Sequence, residues 1–267
     1  MPLGAGWRDD AKRPIGLRDD KTKRRNHMSI RLSLDPRPMA RIGAIFSIAT
    51  GLTIFLAAFV IGGSGGPVDP NLSAVEIVKG AAAQHDSIQW SSVVDDLGSA
   101  MFLVFVLILG RLAEPEGGLL SRAAAYMAAS WLAINLVWAG AQFAFADATV
   151  HNTDPNAAKG LFLLSQSLLV VIAVPIALQY AALGLLVLRT RVLPAFMGWF
   201  ALLATATAMV SVVASIYSVL DPVGFAAFIV SAMLWPLLAG IVLLVRRPSG
   251  VVSVVSEPQV DATRPAR

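Results

Sequence analysis

Long apolar runs, separated by short clusters of basic or acidic residues, organise the chain between residues 42 and 245. Six runs stand out, at 42–62, 97–112, 119–146, 161–188, 192–220 and 224–245. A helix rises about 1.5 Å per residue and a hydrocarbon core is about 30 Å thick, so about 20 apolar residues make one crossing. Every run but the second meets that length. The second gains its missing turn when extended back through Val93, Val94, Asp95 and Asp96, which sets two carboxylates at its outer edge. The third, fourth and fifth exceed one thickness and are expected to tilt or to project past the interface. The pattern predicts an all-α polytopic membrane bundle of six transmembrane helices, with one short helix on the outer surface.

That surface helix is announced by its start signal. Ser73-Ala74-Val75-Glu76 is a capping box, in which the serine oxygen accepts from one free backbone N–H and the glutamate reaches back to another. Leu72 and Ile77 stand where a hydrophobic staple would close, and the helix is expected from Ala74 to about Gln84. Trp90 is expected at the outer interface, and Trp199 and Tyr126 at the inner one.

Composition agrees with a membrane chain. The 267 residues are 56% hydrophobic and 14% charged, with a mean hydropathy of +0.69. Soluble domains run roughly 45–50% apolar and about 25% charged, so this chain has too little polar side chain to cover a water-facing surface. There is no cysteine, which excludes disulfides and thiolate metal sites.

A sequence pI near 9.8 would point a soluble protein toward nucleic acid. Here the position of the charges explains it, and no nucleic-acid partner is expected. Basic residues crowd the N-terminus up to Arg41 and recur at Arg111 and Arg122, at Arg189 and Arg191, and from Arg246 onward. With six spans all of these lie on one side. The other side holds only Lys79 and Lys159, against Asp69, Glu76, Asp86, Asp95, Asp96, Asp147, Asp154 and Asp221. Basic loops are retained inside during insertion, so both ends are expected in the cytoplasm of a multi-pass cell-membrane protein.

The same distribution divides the chain into a basic, disordered cytoplasmic segment at 1–38, a six-helix transmembrane domain at 39–247 and a disordered cytoplasmic tail at 248–267. The first segment contains an imperfect repeat, Trp7 to Arg13 and Leu17 to Arg24, and no apolar core of signal-peptide type near its start. It reads either as an orientation signal or as an arm held to anionic lipid, at about 1 kcal/mol per basic residue near the surface. Met28 offers a second start from which all the spans would still follow.

Candidate chemistry is sparse. On the third span Trp131, Asn135, Trp138 and Gln142 recur at i, i+4, i+7 and i+11, one helical face. Two amides and two indoles should not face lipid, so the stripe is expected to point inward, either as the lining of a small-ligand site or as interhelical glue. Gln166 and Gln179 flank Pro175 on the fourth span, Thr207, Ser211 and Ser215 form a stripe on the fifth, and Trp235-Pro236 interrupts the sixth. The ligand-binding set inferred is Trp131, Asn135, Trp138, Gln142, Gln166, Thr207 and Ser211. Gly43, Ser47 and Gly51 give the first span a small-residue face for close helix approach.

No ionisable residue falls at the middle of any run, which weighs against an ion-driven pump. Asp95, Asp96 and His151 are the weak metal candidates, near His85, Asp86, Asp147 and Asp154, although their spacings match no ligand motif. Phosphate loops and nucleophile elbows are absent, and no cofactor is implied.

Two stretches, Met39-Ala40-Arg41-Ile42-Gly43-Ala44-Ile45-Phe46 and Leu193-Pro194-Ala195-Phe196-Met197-Gly198-Trp199, resemble an uncharacterised family of six-span bacterial integral membrane proteins. The resemblance implies the same span count and a long first outer loop. It brings no activity with it. The excess of arginine over lysine and the abundance of alanine are in keeping with a GC-rich bacterium. The function expected from the sequence is that of a non-enzymatic binding or regulatory membrane protein. A carrier or channel for a small neutral solute and an outer-face metal-dependent enzyme are the alternatives. The lipid bilayer is the one partner required, and a second copy or another membrane protein is left open.

Overall fold

The computed structural model describes residues 36–61, 71–151, 154–216 and 222–245, the side chains of 214–216 and 222–232 excepted. Expectations for the N-terminal segment before residue 36 and the tail, and for Asp69, Ser215 and Asp221, lie outside the described residues. Seven α-helices follow one another among the described residues: α1 (Pro36–Phe55), α2 (Ala74–Ala82), α3 (His85–Ala113), α4 (Leu119–Val150), α5 (Pro155–Thr190), α6 (Ala195–Ile216) and α7 (Pro222–Val245). A π-helical stretch, Leu56–Ile61, continues α1. Five of the helices are long and apolar enough to cross a membrane, and Met233–Val245 within α7 is a shorter apolar piece. The described residues therefore form an apolar, all-helical, multi-pass membrane protein. α1 begins slightly earlier than the boundary expected at residue 39, at Pro36, which supplies the fixed φ a first helical turn tolerates.

Helix α2 carries the predicted capping box. Ser73 accepts from the Glu76 N–H at 3.3 Å, and the Ser73 N–H donates to the Glu76 carboxylate at 2.9 Å. The staple takes another form: Ile77 is fully buried with Ala81, Phe145 and Phe162, whereas Leu72 stays 38% exposed. Packing on α4 and α5 offers Ile77 more apolar surface than one flanking leucine does. Lys159 Nζ donates to the Leu72 carbonyl at 2.7 Å, which ties the loop before α2 to α5. The helix is short of its expected end near Gln84, since a turn at 83–84 precedes α3.

The long helices close into a ring. Successive helices from α3 to α7 pack side by side, and α1 packs on both α3 and α7. Glycines permit the tightest crossings. A Cβ on Gly240 would stand 2.8 Å from the Ala44 carbonyl, and one on Gly198 3.0 Å from the Gly184 carbonyl. On the small-residue face of α1, Gly51 and Ser47 meet α7, where Ser47 Oγ donates to the Pro236 carbonyl at 2.6 Å, while Gly43 meets Ile108 of α3. These antiparallel passes place Arg37, Arg41, Arg111, Arg122, Arg189 and Arg191 at one end of the bundle. Lys79 and Lys159 stand at the other, with Glu76, Asp86, Asp147 and Asp154.

An aromatic cluster fills the centre of the ring. Phe102 packs edge-on against Trp131 (5.3 Å between centroids) and Trp235 (6.5 Å) and at a shallow tilt against Tyr180 (5.9 Å), joining α3, α4, α5 and α7. Such pairs add about 0.5–1.5 kcal/mol each beyond the area they bury. Trp235 Nε1 donates to the Met197 carbonyl at 2.8 Å, so its polar atom is satisfied through α6. On the outside of the ring, Leu52, Leu107, Val137, Leu178, Leu203 and Ile241 are each about half exposed or more. A continuous apolar exterior of this kind suits lipid and not water. Trp90, Tyr126 and Trp199 are each more than 60% exposed, as interfacial aromatics are.

Candidate functional site

The polar residues of α3 share one face. Ser91, Ser92, Asp95, Asp96 and Ser99 recur at three- and four-residue spacing, and Phe102 continues the same face into the aromatic core. Opposite them, Asn135 stands halfway along α4 and is only 2% exposed. Its Nδ2 lies 2.9 Å from Asp95 Oδ2, 2.9 Å from Asp96 Oδ1 and 3.2 Å from Ser99 Oγ. One amide group thus serves three oxygens with two hydrogens. Among the described residues neither carboxylate has a cationic partner within salt-bridge distance.

The sequence alone set these acids at the outer edge of their span. In the structure both stand within the length of α3. Asp95 is ten residues into α3, about 15 Å along its axis, and it reaches the mid-helix asparagine of α4.

One turn further out, a crevice of about 160 Å³ separates α3, α4 and α5. On the α3 side it is lined by Gln84, Ser87, Ser91 and Ser92, and opposite by Trp138, Gln142 and Gln166. Gln142 Nε2 donates to Ser165 Oγ at 3.2 Å, and that hydroxyl donates to the Phe162 carbonyl at 2.7 Å. Trp138 Nε1 is buried and has no hydrogen-bond partner among the described residues. A cavity near 150 Å³ admits about one benzene-sized molecule. This one is lined by the Trp138 ring, whose buried N–H is unbonded among the described residues, and by the amides of Gln84, Gln142 and Gln166.

At the rim, Gln89 Nε2 donates to Asp147 Oδ1 at 3.0 Å and lies 3.2 Å from His85 Nε2, while His85 Nδ1 lies 2.8 Å from Asp86 Oδ1. With its proton on Nδ1, His85 donates to Asp86 and accepts from Gln89. These contacts tie the N-terminal end of α3 to the C-terminal end of α4.

The third-span stripe therefore divides along its length. Trp131 is packed in the aromatic core, Asn135 meets the acids, and Trp138 and Gln142 wall the crevice together with Gln166. Thr207 and Ser211 do not join them: their hydroxyls return to the Ala204 and Thr207 carbonyls of α6, which packs on α5 and α7. Gln179 is fully buried beside Tyr180, with neither amide atom bonded among the described residues.

The three weak metal candidates are not brought together. His151 closes α4, sixteen residues and about 24 Å beyond Asn135, with Nδ1 2.9 Å from the Asp147 carbonyl oxygen. Among the described residues no group of three or more histidine, aspartate or glutamate side chains stands where it could hold a metal ion. Ser99 and Ser165 were missed in the sequence reading. Ser99 had a signal, since it follows Asp95 by four residues on the same face. No family model, curated protein or solved structure matches this chain.

Proposed function

We propose that this chain is a six-span membrane protein, both ends cytoplasmic, that binds a small polar solute in the crevice between α3, α4 and α5. The observation that carries the reading is the convergence of Asp95, Asp96 and Ser99 on Asn135 one turn below that crevice. Two adjacent, half-buried carboxylates lacking a cation are costly unless a positive group or a proton joins them. The solute that suits the site is small and cationic or rich in donors, with an acceptor for the Trp138 N–H. Amides, an indole and hydroxyls recognise such a molecule without changing it, so the role is binding and not catalysis. The sidedness rests on the arginine-rich end of the bundle, retained inside during insertion. Kinship with the six-span bacterial family rests on the two stretches quoted above. In them Leu193 is buried, Gly198 crosses α5 and Trp199 faces outward.

A second reading, a carrier, is favoured by the aromatic cluster. Phe102, Trp131, Tyr180 and Trp235 close the ring beyond the acids, so the crevice serves one side only in this state. Movement of that cluster would be needed for passage.

The test is thermal unfolding of the purified full chain in detergent against small amines, neutral amides and carboxylates. Amines are expected to raise the midpoint of the wild type and to lose that effect in Asp95→Asn/Asp96→Asn and in Gln142→Leu. Absence of any amine shift, or an equal shift in both variants, overturns the proposal. Uptake of a shifting amine into proteoliposomes then separates carrier from receptor.

A further inference from the structure

A second groove lies at the opposite, arginine-rich end of the bundle, where α3 gives way to α4. It measures about 190 Å³ and is lined by Leu107, Gly110 and Ala125 and by the charged side chains Arg111, Arg122 and Glu114. The turn between the helices holds both guanidinium groups. Arg111 Nη1 donates to the Pro115 carbonyl. The Arg122 guanidinium lies over Gly117, where a Cβ would stand 3.5 Å from Nη2; that glycine has φ +79°, a conformation costly for other residues.

Neither nearby acid forms an ion pair with either arginine. Glu114 Oε2 accepts from the Ser121 N–H at 3.2 Å, at the N-terminus of α4, and its carboxylate packs against Gly118. Glu116 lies exposed in the turn. Among the described residues neither arginine has an acidic partner within 4.0 Å. Leu119, 81% exposed, and Tyr126, 69% exposed, stand three residues before and four after Arg122 on α4.

We infer that this groove binds an anionic phospholipid, with its phosphate on Arg111 and Arg122 and an acyl chain along Leu107, Gly110 and Ala125. Two guanidiniums without an acidic partner present their remaining N–H donors to phosphate oxygens. An apolar wall running from them into the bundle's lipid-facing surface has no use to a free phosphate ion and suits an acyl chain. The occupant is therefore a lipid of the surrounding bilayer. The site is independent of the crevice, which lies at the other end of α3 and α4.

The test is thermal unfolding of the full chain in micelles doped with phosphatidylglycerol or with phosphatidylcholine, and with glycerol phosphate alone. The wild type is expected to gain stability from phosphatidylglycerol and not from the other two. In Arg111→Gln/Arg122→Gln the phosphatidylglycerol giving half the effect should rise more than about tenfold, as loss of two surface charges near a phosphate implies. The basic N-terminal segment is present in both proteins, so the difference reports the pair alone. If the double variant does not fold in phosphatidylcholine, Leu107→Trp, which fills the groove and keeps both arginines, should give the same loss. An equal phosphatidylglycerol response in wild type and variant, no preference in the wild type, or a full effect from glycerol phosphate each overturns the inference.

Discussion

Replacing Asn135 distinguishes a specific acid–amide cluster from ordinary interhelical packing. Its Nδ2 lies 2.9 Å from each of two carboxylates. A hydrogen bond to a charged group contributes about 1.5–3 kcal/mol, more than a neutral one. Two such bonds would sum to about 3–6 kcal/mol, but both carboxylates keep partial exposure and can recover some hydration. About 2–4 kcal/mol is therefore expected for Asn135→Leu, which keeps most of the volume and removes the donors. An average interhelical hydrogen bond in a membrane protein is worth only about 0.6 kcal/mol, so the two accounts differ by several-fold. The measurement is reversible unfolding of the full chain in mixed micelles with rising denaturing detergent, for wild type, Asn135→Leu, Asp95→Asn/Asp96→Asn and the triple variant. In the double-asparagine background the further cost of losing Asn135 should fall to under about 1 kcal/mol, because neutral amides need the donor less. A loss below about 1 kcal/mol in the wild-type background, or the same loss in both backgrounds, refutes the reasoning.

Two further outcomes follow from single residues. Gln179 buries an amide with neither end bonded among the described residues, so Gln179→Met, similar in length and apolar, should raise stability by about 1 kcal/mol; a loss in the same unfolding assay would mean that water or another group satisfies the amide. The Glu76 carboxyl is held below its ordinary range by the Ser73 hydroxyl and then by the Ser73 backbone N–H. A depressed folded-state value gives α2 a contribution that is complete above the usual carboxylate range and disappears as pH falls through the lowered value. Amide exchange at residues 74–82 should therefore quicken below that point in the wild type, once corrected for intrinsic rate, and show no such step in Glu76→Gln.

Much of the architecture is legible in the chain itself. Apolar length along a helix is a local property, so the crossing segments, the capped surface helix and the uneven distribution of arginine follow from consecutive residues. The small face of α1 is signalled in the same way, because only small side chains let backbones approach. Periodicity also showed that Trp131, Asn135, Trp138 and Gln142 share a face. It was silent on what stands across from each, since that depends on how far every helix is rotated about its own axis and how deep it sits.

Those two quantities come from packing alone. They set Asp95 and Asp96 against Asn135 and leave His151 about 24 Å away along α4. They also bury Trp131 among aromatic rings while Trp138, two turns on, borders a crevice. The sequence determined that this is a membrane helix bundle with few polar groups to spend in its interior. Only the tertiary structure decided which of those groups meet, because a residue's partners in a bundle lie on other helices, dozens of positions away.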